Sequence, residues 1–129
     1  MIIADSSVWI AALRGALTPE TARLKALSAG PEIIMGDLIL LEILRGAHDD
    51  RHAAKIHRML ARYTVVPMLS PAIAVEAASN YRKLRSKGIT IRKTADLIIG
   101  TYCIEHGHSL LHADRDFTPM VEHLGLRIA

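Results

Sequence analysis

Read for apolar and polar spacing, the chain alternates short apolar runs with longer stretches of helical period. Met1-Ile2-Ile3-Ala4 is uninterrupted by polar side chains, β-branched at two positions and short. That pattern predicts a buried parallel strand rather than a half-exposed one. Ile33-Ile34-Met35, Thr64-Val65-Val66 and Ser109-Leu110-Leu111 repeat it, and Leu126 to Ile128 is a candidate fifth strand. Between these runs the spacing predicts helices over Val8 to Arg14, Pro19 to Ala29, Leu38 to Arg45, about Asp50 to Arg62, Pro71 to Lys87, Ala95 to His106 and Thr118 to Leu124. Thr18-Pro19 and Ser70-Pro71 pair an N-cap residue with proline at the first helical position. Asp37 and Thr94 are the expected caps of their helices, and glycines 88, 107 and 125 the expected stops. Strands alternating with helices imply a parallel sheet covered on both faces. The expected fold is α/β, a single domain over residues 1–129 with four to five short parallel strands flanked by helices.

Composition narrows the class. Half of the 129 residues are hydrophobic, which excludes disorder for the chain as a whole. Aromatics are few, so Leu, Ile, Val, Ala and Met must build the core. One cysteine, Cys103, cannot form an internal disulfide. No apolar run reaches the roughly 20 residues of a membrane span, and Met1 leads straight into the first strand without a basic leader. A cytoplasmic protein with no membrane partner is expected. The net charge of +3 permits a polyanionic partner.

The candidate chemistry is carboxylate. In an open α/β sheet, ligands sit outside the carboxyl ends of the strands. Asp5 and Asp114 fall just past such ends, and Asp96 falls in the first turn of a helix preceding a strand. Glu42 lies in a helix that reads apolar on all sides, so burial is expected for it, with Arg45 as a possible ion-pair partner. Alone, each acid is explained by capping or solvent. Together they predict a cluster at one edge of the sheet. Two like charges about 4 Å apart cost on the order of 4 kcal/mol at an effective dielectric of about 20, so four require protonation or a cation. Oxygen-only ligands suit Mg²⁺ or Mn²⁺ better than zinc. On this reading Asp5 belongs to the cation site, and capping of the first helix falls to Ser6 or Ser7.

Four segments then carry a resemblance: Asp5-Ser6-Ser7-Val8-Trp9, Glu42-Ile43-Leu44-Arg45-Gly46, Thr94-Ala95-Asp96-Leu97-Ile98-Ile99-Gly100, and Leu110-Leu111-His112-Ala113-Asp114-Arg115-Asp116-Phe117. In this order and at this length, the chain resembles PIN-domain ribonucleases, specifically VapC-type toxins of toxin–antitoxin modules. The resemblance implies an acidic site of Asp5, Glu42, Asp96 and Asp114, with Asp5, Asp96 and Asp114 as metal ligands. Ser7 and Asp116 would support it. Glu42 is left with three roles: the same ion, a second ion, or orienting the attacking water. Also implied are Mg²⁺- or Mn²⁺-dependent endonucleolytic cleavage of RNA, with tRNA among the structured RNAs in range, a homodimer, and inhibition by a VapB-type antitoxin. Asp37 stands where many relatives carry a hydroxyl residue, and Gly100 replaces a usual Ala.

Other features compete. No acid occurs between Glu76 and Asp96, where Arg82, Lys83, Arg85, Lys87, Arg92 and Lys93 fall. That run reads equally as a solvated face or as a phosphate track, with Arg92 and Lys93 nearest Asp96. Arg115 between two acids is an ion-pair partner or a further RNA contact. Seven histidines without a cysteine at ligand spacing do not make a zinc site; Cys103 reads as core, and Trp9 as core or dimer interface. No GxGxxG or GxxxxGK[ST] occurs. A receiver domain would need its acceptor Asp after the third strand, where Pro67 stands; an aspartate phosphatase would need an acid at Ser7. The alternative to an enzyme is a PIN-like binding or scaffold module, marked by loss of acids, and none is lost.

Overall fold

A computed structural model describes all 129 residues. The short apolar runs become the strands β1 (Ile2–Ala4), β2 (Ile33–Gly36), β3 (Val65–Val66), β4 (Ser109–Leu111) and β5 (Arg127–Ile128). All pair in parallel, in the order β3-β2-β1-β4-β5. The register sets Ile3 beside Ile34 on one side and Leu110 on the other. β1 is therefore central, and the chain order reverses there: β2 and β3 build outward one way, β4 and β5 the other. In open α/β sheets the crevice at such a reversal is where ligands bind.

Seven helices connect the strands: α1 (Ser6–Leu13), α2 (Pro19–Ser28), α3 (Asp37–Arg45), α4 (Asp50–Leu60), α5 (Pro71–Ser86), α6 (Thr94–His106) and α7 (Thr118–Leu124), with a short 3₁₀ turn at Arg115–Phe117. Thr18 and Ser70 cap α2 and α5 as expected, each side chain accepting the N–H three residues on. Two expected caps fail. Gly36 rather than Asp37 precedes α3; Asp37 is its first residue, and its carboxylate accepts the N–H of Leu38 at 2.8 Å and of Met68 at 3.1 Å. Asp37 thus ties the start of α3 to the segment leaving β3. Lys93, not Thr94, is the N-cap of α6, without a side-chain hydrogen bond.

The core is aliphatic, with Ile3, Ile39, Leu84, Ile99, Leu110 and Phe117 fully buried. Trp9 belongs to it, its ring edge-on to Tyr63 with centroids 5.2 Å apart. Cys103 is fully buried too, and burial pushes its thiol up to about 12, which makes it unreactive packing. Gly100 has a physical reason: a Cβ there would lie 2.4 Å from Met120 Cε. The buried Met120 fills the space that a methyl group at position 100 would take. No helix is long and apolar enough to cross a membrane.

Candidate active site

Four elements deliver carboxylates to the reversal point. β1 ends on Asp5, whose N–H bonds Leu111 O of β4 at 2.8 Å, so Asp5 is pinned where β1 and β4 exit. Its two oxygens differ. Oδ2 accepts the Ser7 N–H at 3.1 Å and the Ser7 hydroxyl at 2.6 Å, capping α1; Oδ1 is buried with no partner. Capping therefore does not fall to Ser6 or Ser7. A carboxylate has two faces, and Asp5 uses one for the helix and presents the other inward.

Asp96 arrives from α6. That helix runs back down the sheet before β4 climbs again, which sets its first turn at the sheet's carboxyl edge. Asp96 is 3 % exposed, and its Oδ2 is buried without a partner. Burial, then the charges of Asp5 and Asp114, push its carboxyl up to about 7, with Lys93 acting in the opposite sense. Asp114 follows β4; its Oδ1 accepts the Asp116 N–H at 3.0 Å and its Oδ2 faces Lys93 Nζ at 3.4 Å. One carboxylate oxygen each from Asp96, Asp114 and Asp116 lies within 4.8 Å of the others. Asp116 thus completes the trio within that distance, a place the sequence expectation gave to Asp5.

Glu42 departs from expectation. α3 is one-sided in the fold: Ile39 and Ile43 are buried, Leu41 is 59 % exposed, and Glu42 is half-buried on the cavity side. Ser6 Oγ donates to its Oε1 at 3.2 Å, whereas Arg45 makes no ion pair with it. Burial first and the Asp5 charge second raise the Glu42 carboxyl, with the Ser6 hydrogen bond, Arg45 and Lys93 drawing it back.

Asp5, Glu42, Asp96 and Asp114 line one open cavity of about 410 Å³, together with Ser6, Ser7 and Lys93. Of the basic residues expected near substrate, Lys93 reaches this cavity. Arg92 and Arg115 are exposed and outside its lining, and Arg115 pairs with neither flanking acid. Two further cations line it: Arg14, the C-cap of α1, which the sequence did not mark, and Arg45, expected there only as a partner of Glu42. His112 is satisfied locally, its Nδ1 accepting the Asp114 N–H at 3.3 Å and its ring 5.0 Å from that of Phe117.

The donor set fits a hard divalent cation. It is all oxygen, two of its oxygens are buried without any hydrogen-bond donor, and its clustered negative charge is costly without a counterion. The chain is also similar to known proteins. Over 134 aligned residues the chain is 31 % identical to "Ribonuclease VapC11" of Mycobacterium tuberculosis, spanning 100 % of this chain and 98 % of that one. Its fold matches the crystal structure of VapBC2 from Rickettsia felis bound to a promoter DNA fragment (TM-score 0.77, 17 % identity, covering 100 % of this chain and 98 % of that one). FitAcB from Neisseria gonorrhoeae matches similarly (TM-score 0.75, 18 % identity, 99 % and 96 %). The family model for the PIN domain matches residues 2–121, and with the sheet order and acidic edge described above, the chain belongs to the PIN domain family.

Proposed function

We propose that this chain is a divalent-cation-dependent endoribonuclease and the toxin of a VapBC-type pair. The observation that carries the reading is the pair of buried, unpartnered oxygens, Asp5 Oδ1 and Asp96 Oδ2, on separate elements of one carboxylate-lined cavity. Relatives named as VapC ribonucleases, and similar folds solved as VapBC complexes, support the activity class and a VapB-type antitoxin as partner. We take the working form to be a homodimer in the cytoplasm.

Asp5, Asp96 and Asp114 would hold Mg²⁺ or Mn²⁺, with Asp116 close enough to share the load. When bound, such an ion supplies the positive charge the carboxylates lack and acidifies a water for attack on phosphorus. The remaining work falls to the chain. Glu42, whose proton affinity is raised and whose Oε1 is steadied by Ser6, accepts the proton of the attacking water. Ser7 holds Asp5 in place, so that Oδ1 stays turned inward. Lys93 offsets negative charge at Asp114 and, with the exposed Arg92 and Arg115, contacts the RNA backbone.

The test is cleavage of RNA, tRNA included, by the purified chain with Mg²⁺ or Mn²⁺, beside a chelator control and Asp5→Asn. Discrete cuts by the wild type that vanish with chelator and in the variant are expected. Equal cutting with chelator present would end the metal reading, and an inert wild type would favour a PIN-like binding module.

A further inference from the structure

A second groove adjoins the acidic cavity and has no part in the reaction just described. It is a cleft of about 490 Å³ between the end of α1, the end of α3 and the side of α4 that carries His52, Lys55, Ile56 and Met59, inside the range of about 300–1,000 Å³ typical of ligand clefts. The buried Ile43 and Ile56 give it an aliphatic floor, and Arg14, His48, His52 and Lys55 stand around it. No Asp or Glu lines it, and neither Arg14 nor Lys55 makes an ion pair. The two imidazoles are stacked, with centroids 4.6 Å apart and planes within 15°, and His52 Nδ1 accepts the His48 N–H at 3.1 Å. That bond fixes the ring of His52 as a flat face. Ile10 and Arg14 line both the groove and the acidic cavity, so the two adjoin across these residues.

Cations without partners around a floor of apolar and planar groups suit a ligand that alternates phosphates with flat bases. A polyanion whose reacting phosphodiester lies at the carboxylates has to leave the cavity by some route. This route offers positive charge at its mouth and no carboxylate along it. We propose that the groove is a substrate subsite for the nucleotides beside the cleaved bond, with Arg14 binding the adjacent phosphate, Lys55 the next, and a base lying against the His48–His52 stack. The inference rests on reading the acidic cavity as the place where RNA is cut. A peptide segment is the competing occupant; the unpaired Arg14 and Lys55 and the lack of any carboxylate in the lining favour the polyanion.

The experiment compares the wild type with Arg14→Ala/Lys55→Ala and with His52→Ala. Arg23→Ala/Lys25→Ala, on the exposed face of α2, removes the same charge elsewhere. Affinity for a short fluorescein-labelled single-stranded RNA is followed by anisotropy across a salt series without added metal, and cleavage is followed with Mn²⁺. Arg14→Ala/Lys55→Ala should weaken binding about tenfold and flatten the logarithmic salt slope by about 1.4, two contacts at about 0.7 each. Its KM should rise with kcat little changed. His52→Ala should weaken binding with the slope unaltered, as loss of stacking would. If both variants bind and cleave like the α2 control, the groove serves another ligand and the inference is wrong. If the wild type binds RNA but never cuts it, the endoribonuclease reading fails, while the anisotropy series still decides the groove.

Discussion

Ser7 Oγ donates to Asp5 Oδ2 at 2.6 Å and accepts the Ala113 backbone N–H at 3.2 Å, joining the start of α1 to the segment that leaves β4. One hydroxyl thereby fixes the separation between the element that carries Asp5 and the one that carries Asp114. Ser7→Ala breaks both bonds and leaves the Asp5 cap with the Ser7 backbone N–H alone. The expected loss is about 1 kcal/mol, which lowers Tm by about 3–5 °C for a chain of this size. Cleavage measured well below Tm should fall by about tenfold, since the geometry of the site loosens more than the fold does. A variant with lowered Tm and unchanged rate would show that Ser7 serves the fold alone.

Asp96 makes stability depend on pH. Its carboxyl sits at about 7 in the folded chain, against 3.8 for a free aspartate, so between those values the folded state holds a proton that the unfolded state has lost. Without metal, stability from this group is complete below about pH 4, declines as pH rises, and is gone above about pH 7. Asp96→Asn cannot ionise and escapes that decline. We predict a Tm several degrees above wild type at about pH 8, converging with it near about pH 4. The rise in Tm on adding Mn²⁺ should shrink in the same variant. Thermal denaturation across pH, with and without Mn²⁺, checks both; identical wild-type and variant curves would mean that Asp96 is not crowded by other acids.

Lys93 and Asp114 form a pair with little structural value. The lysine side chain is 61 % exposed, and such surface pairs contribute about 0–1 kcal/mol. Its effect is electrostatic, because Lys93 draws the Asp96 carboxyl down. Lys93→Ala should leave Tm nearly unchanged while moving the pH at which Mn²⁺ binding is half developed upward. A titration of Mn²⁺ affinity against pH that overlays the wild type would contradict this.

The fold was largely legible in the chain because its signals are local. Short apolar runs gave the strands, and Thr18, Ser70 and the prolines after them marked two helix starts. Local reasoning failed where one side chain serves distant partners. Asp37 looked like a cap and instead reaches Met68, 31 residues on. Asp5 reads in sequence as a cation ligand, yet one of its oxygens caps α1, and the oxygen left over is visible only once β4 stands beside β1. Glu42 looked buried because its neighbours in sequence are apolar, but Leu41 faces outward and the helix has one inner face. Arg14 carries no local mark of function and Arg45 only its spacing from Glu42; the packing of α1 against α3 brings both to the cavity.

Binding of Mn²⁺ to the metal-free chain tests most directly whether these carboxylates form one cation site. Calorimetric titration near pH 7, in two buffers of different ionisation enthalpy, reads both affinity and proton release. With the Asp96 carboxyl at about 7, saturable binding should release about half a proton from that group at pH 7, and release should fade above about pH 8.5. Asp5→Asn should weaken binding by at least tenfold, and Asp96→Asn should abolish this proton release. Mn²⁺ binding that is absent in the wild type, or equal in all three proteins, would contradict the account.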